Sequence, residues 1–135
     1  MKKIFVSYAD QDRQKVRTLL SQLRNLSLEG WLDTADLTTE EAVGPAIRNA
    51  IRQAAGVIVL LSPQSASDKW IQFEIGAAEA LGKLIIPVIV EGDVEQIMPD
   101  SLRGTAALDA RSESPVDVAR VARKIEKILG EAEPA

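Results

Sequence analysis

Apolar and polar residues follow two alternating periods along the chain. Short apolar runs bounded by polar residues read as strands: Lys3-Ile4-Phe5-Val6-Ser7-Tyr8, Val57 to Ser62 and Leu84 to Val90, with weaker versions at Trp31-Leu32-Asp33 and Ala106-Ala107-Leu108. Strands that are apolar almost throughout suit a parallel sheet covered on both faces, because neither face meets water. Between them the spacing becomes helical. Val16, Leu19, Leu20, Leu23 and Leu26 mark one face of a helix beginning near Asp12, and Val43, Ala46, Ile47, Ala50, Ile51 and Ala54 mark a second. A third runs from about Asp68 to Gly82. The last has Ser114 as its cap, Pro115 in its first turn and Gly130 at its end, with Val118, Val121, Ala122, Ile125, Ile128 and Leu129 on its inner face.

Strands and helices in this alternation predict an α/β fold. The expected form is a flavodoxin-like, doubly wound, five-stranded parallel sheet of order 2-1-3-4-5 with helices on both faces. Residues 1–130 form the expected domain, and residues 131–135 read as a tail or the start of a linker. Ligands of such sheets gather beyond the C-terminal ends of the strands, near the switch point between the first and third. Pro87 falls in a strand that should be interior, where a missing N–H is unfavourable, so a bulge or local break is expected there.

Composition narrows the chemistry. The 135 residues, 46% hydrophobic and 27% charged, suffice for one buried core. Cysteine and histidine are both absent from the sequence, which excludes disulfides, thiolate nucleophiles and every histidine base or dyad. Catalysis is left to carboxylates, hydroxyls, lysine or backbone groups. Sixteen Lys and Arg against 20 Asp and Glu give a net charge of -4, and no basic run offers a nucleic-acid surface. No apolar run is long enough to cross a bilayer, and the chain enters a strand pattern at once. Neither a membrane span nor a secretory leader is expected, and a cytoplasmic location follows.

In the expected fold the crevice is lined by Ser7-Tyr8-Ala9-Asp10, by Ser62-Pro63-Gln64-Ser65 and by the segment after Asp33. On the third helix Gln72, Gly76, Glu79 and Lys83 share the solvent stripe. Glu74 lies about 200° from Gln72 at roughly 100° per residue, on the side of Trp70, Ala77 and Leu81. A carboxylate there points inward at the cleft mouth. It can brace a neighbouring loop or act on a ligand, and position alone leaves both readings open. Trp70 is likewise either a core aromatic or a pocket wall. No Gly-rich phosphate loop follows the first strand. The acidic pocket of receiver domains needs an aspartate where this chain has Ser62 and a lysine where it has Asp109-Ala110-Arg111, so no metal site is expected.

These residues resemble a known family. Ile4-Phe5-Val6-Ser7-Tyr8-Ala9 with Asp10 and Asp12 resembles the opening motif of the Toll/interleukin-1 receptor (TIR) domain. Trp31-Leu32-Asp33 with the polar loop to Gly44-Pro45 resembles its second strand and BB loop. Val57 to Ser62 and then Trp70-Ile71-Gln72-Phe73-Glu74 resemble its third strand and Trp-x-x-x-Glu helix, and Leu84 to Ile89 its fourth strand, Pro87 included. The resemblance runs from Lys3 to about Leu129, and the Phe73-Glu74-Ile75-Gly76 wording is closer to bacterial members.

The resemblance implies an enzyme that cleaves NAD, as substrate rather than cofactor, at the nicotinamide–ribose bond. The products are nicotinamide and ADP-ribose or a cyclic ADP-ribose, and the setting is bacterial defence or interference with a host. It makes Glu74 the catalytic residue and Trp70 a wall of the ribose–nicotinamide pocket. By their placement at the crevice, Ser7, Tyr8, Ala9 and Asp33 are expected to line the remainder. It also implies self-association through the BB loop, Asp36 to Gly44. Two departures stand out: that loop is acidic and long, and Ala46 occupies a position where many enzymatic members carry an aromatic. The resemblance also covers a non-catalytic module acting by TIR association, and a lone carboxylate would equally serve another N-glycosidic substrate such as a nucleoside.

Overall fold

Each apolar run pairs with its neighbours in parallel register. The computed structural model describes residues 2–32 and 40–132. Its elements are β1 (Lys2–Ser7), α1 (Arg13–Asn25), β2 (Leu28–Leu32), α2 (Glu40–Gln53), β3 (Gly56–Leu61), α3 (Lys69–Ala80), β4 (Ile85–Ile89), α4 (Val94–Ile97), β5 (Leu108–Asp109) and α5 (Pro115–Ala132). The five strands form one sheet in the order β2-β1-β3-β4-β5, all pairs parallel, as the alternation predicts.

Strand side chains alternate between two cores, which is why the runs are apolar at nearly every position. Ile4, Val6, Ile58, Leu60 and Val88 pack against Val16, Leu19 and Leu23 of α1 and Ala122, Ile125 and Leu129 of α5. Phe5, Val57, Val59 and Leu61 face Ile47 and Ile51 of α2 and Ile71, Ile75 and Ala78 of α3. Each run therefore supplies both layers.

The structure corrects four local expectations. Pro87 causes no bulge: Val57 to Leu61 pair with Ile85 to Ile89 in unbroken register. The Val57 N–H donates to the Leu84 carbonyl, and the Val90 N–H donates to Leu61, so even-numbered residues of β4 address β3. Odd-numbered Pro87 addresses the β5 side, where pairing begins only at Val88, and its missing N–H has no partner to lose. The second strand lies earlier than expected, at Leu28–Leu32, because Ser27 turns the chain with a φ of 63° and Leu28 already pairs with Lys2.

The expected BB loop extends to Gly44. Instead α2 begins at Glu40 and carries Pro45 inside it. Glu40, Glu41 and Ala42 are good helix formers, and the helix forgoes the one bond that Pro45 cannot donate. Asp33 and the expected loop residues Asp36 to Thr39 lie outside the described residues. Finally, α5 does not stop at Gly130 but continues to Ala132. Gly130 is not among the positive-φ glycines, whereas Gly82, with a φ of 66°, does end a helix. There the Gly82 N–H donates to Glu79 and the Lys83 N–H to Ala78, closing α3 in a Schellman turn.

Candidate active site

The parallel crossovers bring the C-terminal ends of β1 and β3 side by side, with α3 starting just beyond β3. Asp68 caps α3, its Oδ1 accepting from the Trp70 N–H at 2.9 Å and the Ile71 N–H at 3.2 Å. This starts the helix in the phase that buries Ile71, Glu74, Ile75 and Ala78. Glu74 is the one charged member of that stripe and is 0% exposed.

A buried carboxylate requires hydrogen-bond donors. The Ser7 hydroxyl supplies one, donating to Glu74 Oε1 at 2.8 Å from the last residue of β1. Ser7 follows Phe5 in the alternation and so faces the α2/α3 layer. Ala9, 0% exposed, belongs to the same layer. Tyr8 points the other way and packs in the α1/α5 core, so its side chain does not join Ser7 and Glu74.

Trp70 precedes Glu74 by one helical turn yet stands outside the buried stripe, 44% exposed, with its ring edge-on to Phe73 at 6.0 Å and 82°. It is not a core aromatic. The structure thus joins Ser7 to Glu74, places Ala9 in the same layer, sends Tyr8 to the opposite layer and leaves Trp70 at the surface. Asp33 lies outside the described residues.

Sequence reasoning does not assign a second buried polar cluster. The Ser62 hydroxyl donates to Asp12 Oδ2 at 2.5 Å, tying the turn after β1 to the end of β3. Ser65 completes it: its N–H donates to Ser62 Oγ at 3.1 Å, its hydroxyl to the Ser62 carbonyl at 2.9 Å, and its Oγ accepts from the Ser62 N–H at 2.9 Å. Two serines three residues apart at a strand end are the local signal for such a turn. Their union with Asp12 is nonlocal.

A cavity of about 590 Å³ lies along the outer flank of α3, between Gln72, Gly76 and Glu79 and the stretch Gln96 to Arg103. Its wall also takes in Ile71 and Ile75 of the buried stripe but not Glu74, so the carboxylate does not line this volume. The carboxylate is the better guide, because the cavity wall holds no comparable buried reactive group. At the far edge of the sheet Arg111 donates to both oxygens of Asp109, at 2.9 and 2.8 Å, and its backbone N–H adds a bond of 3.0 Å. These bonds hold the pKa of the Asp109 carboxyl down at about 2. Among the described residues no cluster of acidic side chains could hold a metal ion, and no helix is long and apolar enough to cross a membrane.

Comparison with known proteins bears on this geometry. The model of the TIR domain family matches residues 4–125. The 2′ cyclic ADP-D-ribose synthase BtTIR of Bacteroides thetaiotaomicron is 31% identical over 113 residues, covering 78% of this chain. The chain spans 39% of that relative's length. Among solved structures, the TIR domain of a Toll-related receptor from Hydra magnipapillata superposes with a TM-score of 0.75 at 22% identity, covering 94% of this chain and 97% of that one. A 2-desoxiribosyltransferase from Leishmania mexicana superposes with a TM-score of 0.67 at 17% identity, covering 91% of this chain and 98% of that one. At such identities the two superpositions establish a shared fold.

Proposed function

The chain belongs to the TIR domain family, and from that membership we propose that it cleaves NAD at the nicotinamide–ribose bond, with Glu74 as the catalytic carboxylate. The observation that carries the reading is Glu74 itself, a carboxylate buried at the strand ends and held by the Ser7 hydroxyl at 2.8 Å. The similarity to a 2′ cyclic ADP-D-ribose synthase supports the choice of substrate.

The chemistry suits a site built without histidine. The bond from ribose C1′ to the pyridinium nitrogen breaks, its electron pair stays with nicotinamide, and nicotinamide departs neutral. No proton donor is required, in contrast to glycosides that need an acid and a second carboxylate. The remaining demand is stabilisation of positive charge growing on the ribose, which a fixed carboxylate in a water-poor site supplies. Capture of the ribosyl cation by water gives ADP-ribose and a proton. Capture by a nucleophile of the same molecule gives a cyclic ADP-ribose.

Because Glu74 has no accessible surface, the proposal includes a displacement of the groups that cover it. That same burial favours the competing reading, a non-catalytic module that works by TIR association. Self-association through residues 36–44 is part of the proposal. So are a cytoplasmic setting, where NAD is available, a signalling role in bacterial defence or host interference, and a domain ending near Gly130.

The test is nicotinamide release from NAD by concentrated protein, followed by chromatography beside Glu74→Gln. Release by the wild type and its loss in the variant support the enzyme. Release that survives the substitution removes Glu74 from the mechanism. No release at any protein concentration leaves the association module. Offering nucleosides in place of NAD tests the alternative substrate class.

A further inference from the structure

We propose that Arg48, seated on Phe73 beside the exposed ring of Trp70, is the phosphate-binding residue for the dinucleotide. This inference rests on the cleavage reading for its biological ligand and is tested independently of turnover. The Arg48 guanidinium lies over the Phe73 ring at 5.7 Å from the centroid, and Phe73 in turn meets Trp70 edge-on at 6.0 Å. The three residues form a row across the seam between α2 and α3. It ends one helical turn from Glu74, a rise of about 6 Å along the axis.

Two members of the row carry groups that a nucleotide subsite uses. Trp70 is 44% exposed, one of three large hydrophobic side chains exposed among the described residues. An exposed indole offers a stacking face for a base. Arg13, Arg103, Arg111 and Arg120 are committed to aspartates. Arg17, Arg24, Arg48, Arg52 and Arg123 have no ion pair among the described residues, and of these five only Arg48 lies over an aromatic ring. Arg48 has an aromatic face as its neighbour, and among the described residues no carboxylate sits within ion-pair distance of it.

A guanidinium is planar and carries its N–H donors in that plane. That is the fork geometry that grips phosphate oxygens in pairs. The chain carries a net charge of -4, so it repels a diphosphate overall and needs a local cation to hold one. At Ala46 α2 carries no aromatic, and two residues further on it contributes the cation.

The experiment is calorimetric titration of the folded chain with ADP and with adenosine, on wild type, Arg48→Gln and Arg48→Lys. Circular dichroism serves as the fold control. ADP should bind the wild type with an affinity that falls as salt rises. It should bind Arg48→Gln about tenfold or more weakly, the scale of a lost charge-assisted bond, with Arg48→Lys between them. Adenosine affinity should be the same in all three. In turnover, Arg48→Gln should raise KM for NAD while leaving kcat within about twofold, and should leave KM for nicotinamide riboside, which lacks phosphate, unmoved. Equal ADP binding by wild type and Arg48→Gln overturns the inference, as does no ADP binding by the wild type. Equal losses for ADP and adenosine also overturn it. Nicotinamide release and its dependence on Glu74 are read separately, so either proposal can fail while the other stands.

Discussion

The Ser7 hydroxyl and the Glu74 carboxylate meet at 2.8 Å across 67 residues of sequence, joining the end of the first strand to the inner face of the third helix. Both are 0% exposed, so the bond forms in the interior, where a missing donor is not replaced by water. It orients the one carboxylate available to the proposed reaction.

Ser7→Ala should therefore cost about 1–3 kcal/mol in urea unfolding, the range for a buried acceptor deprived of a partner. Nicotinamide release should fall by at least about tenfold, since a misoriented carboxylate loses preorganisation. Unchanged stability together with unchanged release would show that the serine does not control Glu74.

Asp12 is 2% exposed and accepts from Ser62. Asp12→Ala should destabilise by about 1–3 kcal/mol, and Asp12→Asn by less, because an amide oxygen still accepts from the hydroxyl. Urea denaturation of both variants measures the difference. If Asn proves as damaging as Ala, the negative charge, rather than the hydrogen bond, holds the turn.

Gly76 is a different case, a glycine inside α3 with no atom within 4 Å of the place a Cβ would take. Gly76→Ala should raise stability by about 0.5–1 kcal/mol, because alanine loses less backbone entropy in a helix. Thermal unfolding would show an increased Tm. A decrease would mean that the flank of α3 lined by Gln72 and Glu79 closes further than its 590 Å³ cavity implies.

Asp109 supplies a pH dependence whose sign is determined. The pKa of its carboxyl is lowered from 3.8 to about 2, first by the Arg111 side-chain hydrogen bond and then by the Arg111 backbone N–H. A depressed carboxylate contributes stability that is full above its unfolded value and lost as pH falls toward its folded one. The stability difference between wild type and Arg111→Gln should be constant above about pH 5. It should close between about pH 4 and pH 2. Both side chains are more than half exposed, at 52% and 59%, so the difference is small. A difference that persists unchanged to pH 2 would assign the contact to packing.

The sequence is a good guide wherever the signal is local. Short continuous apolar runs and stripes at period 3.6 identify the sheet, the helices and the inward phase of Glu74, because each depends on residues within one element. Boundaries fail where a distant partner sets them. Pro87 reads as a break because sequence does not show that β5 pairs only Val88 and Ile89. The same limit applies to Trp70, where a 100° step separates the flank of the buried stripe from its centre.

What the sequence alone determined is therefore the architecture, the absence of histidine and thiol chemistry, and one carboxylate aimed inward. Tertiary structure decided its company. Ser7 was brought to Glu74, Tyr8 was sent to the opposite core, Asp12 was joined to Ser62, and Arg48 was laid on Phe73. Periodicity reports how a side chain points relative to its own backbone. Which group it then meets is set by crossover connections that bring together residues far apart in the chain.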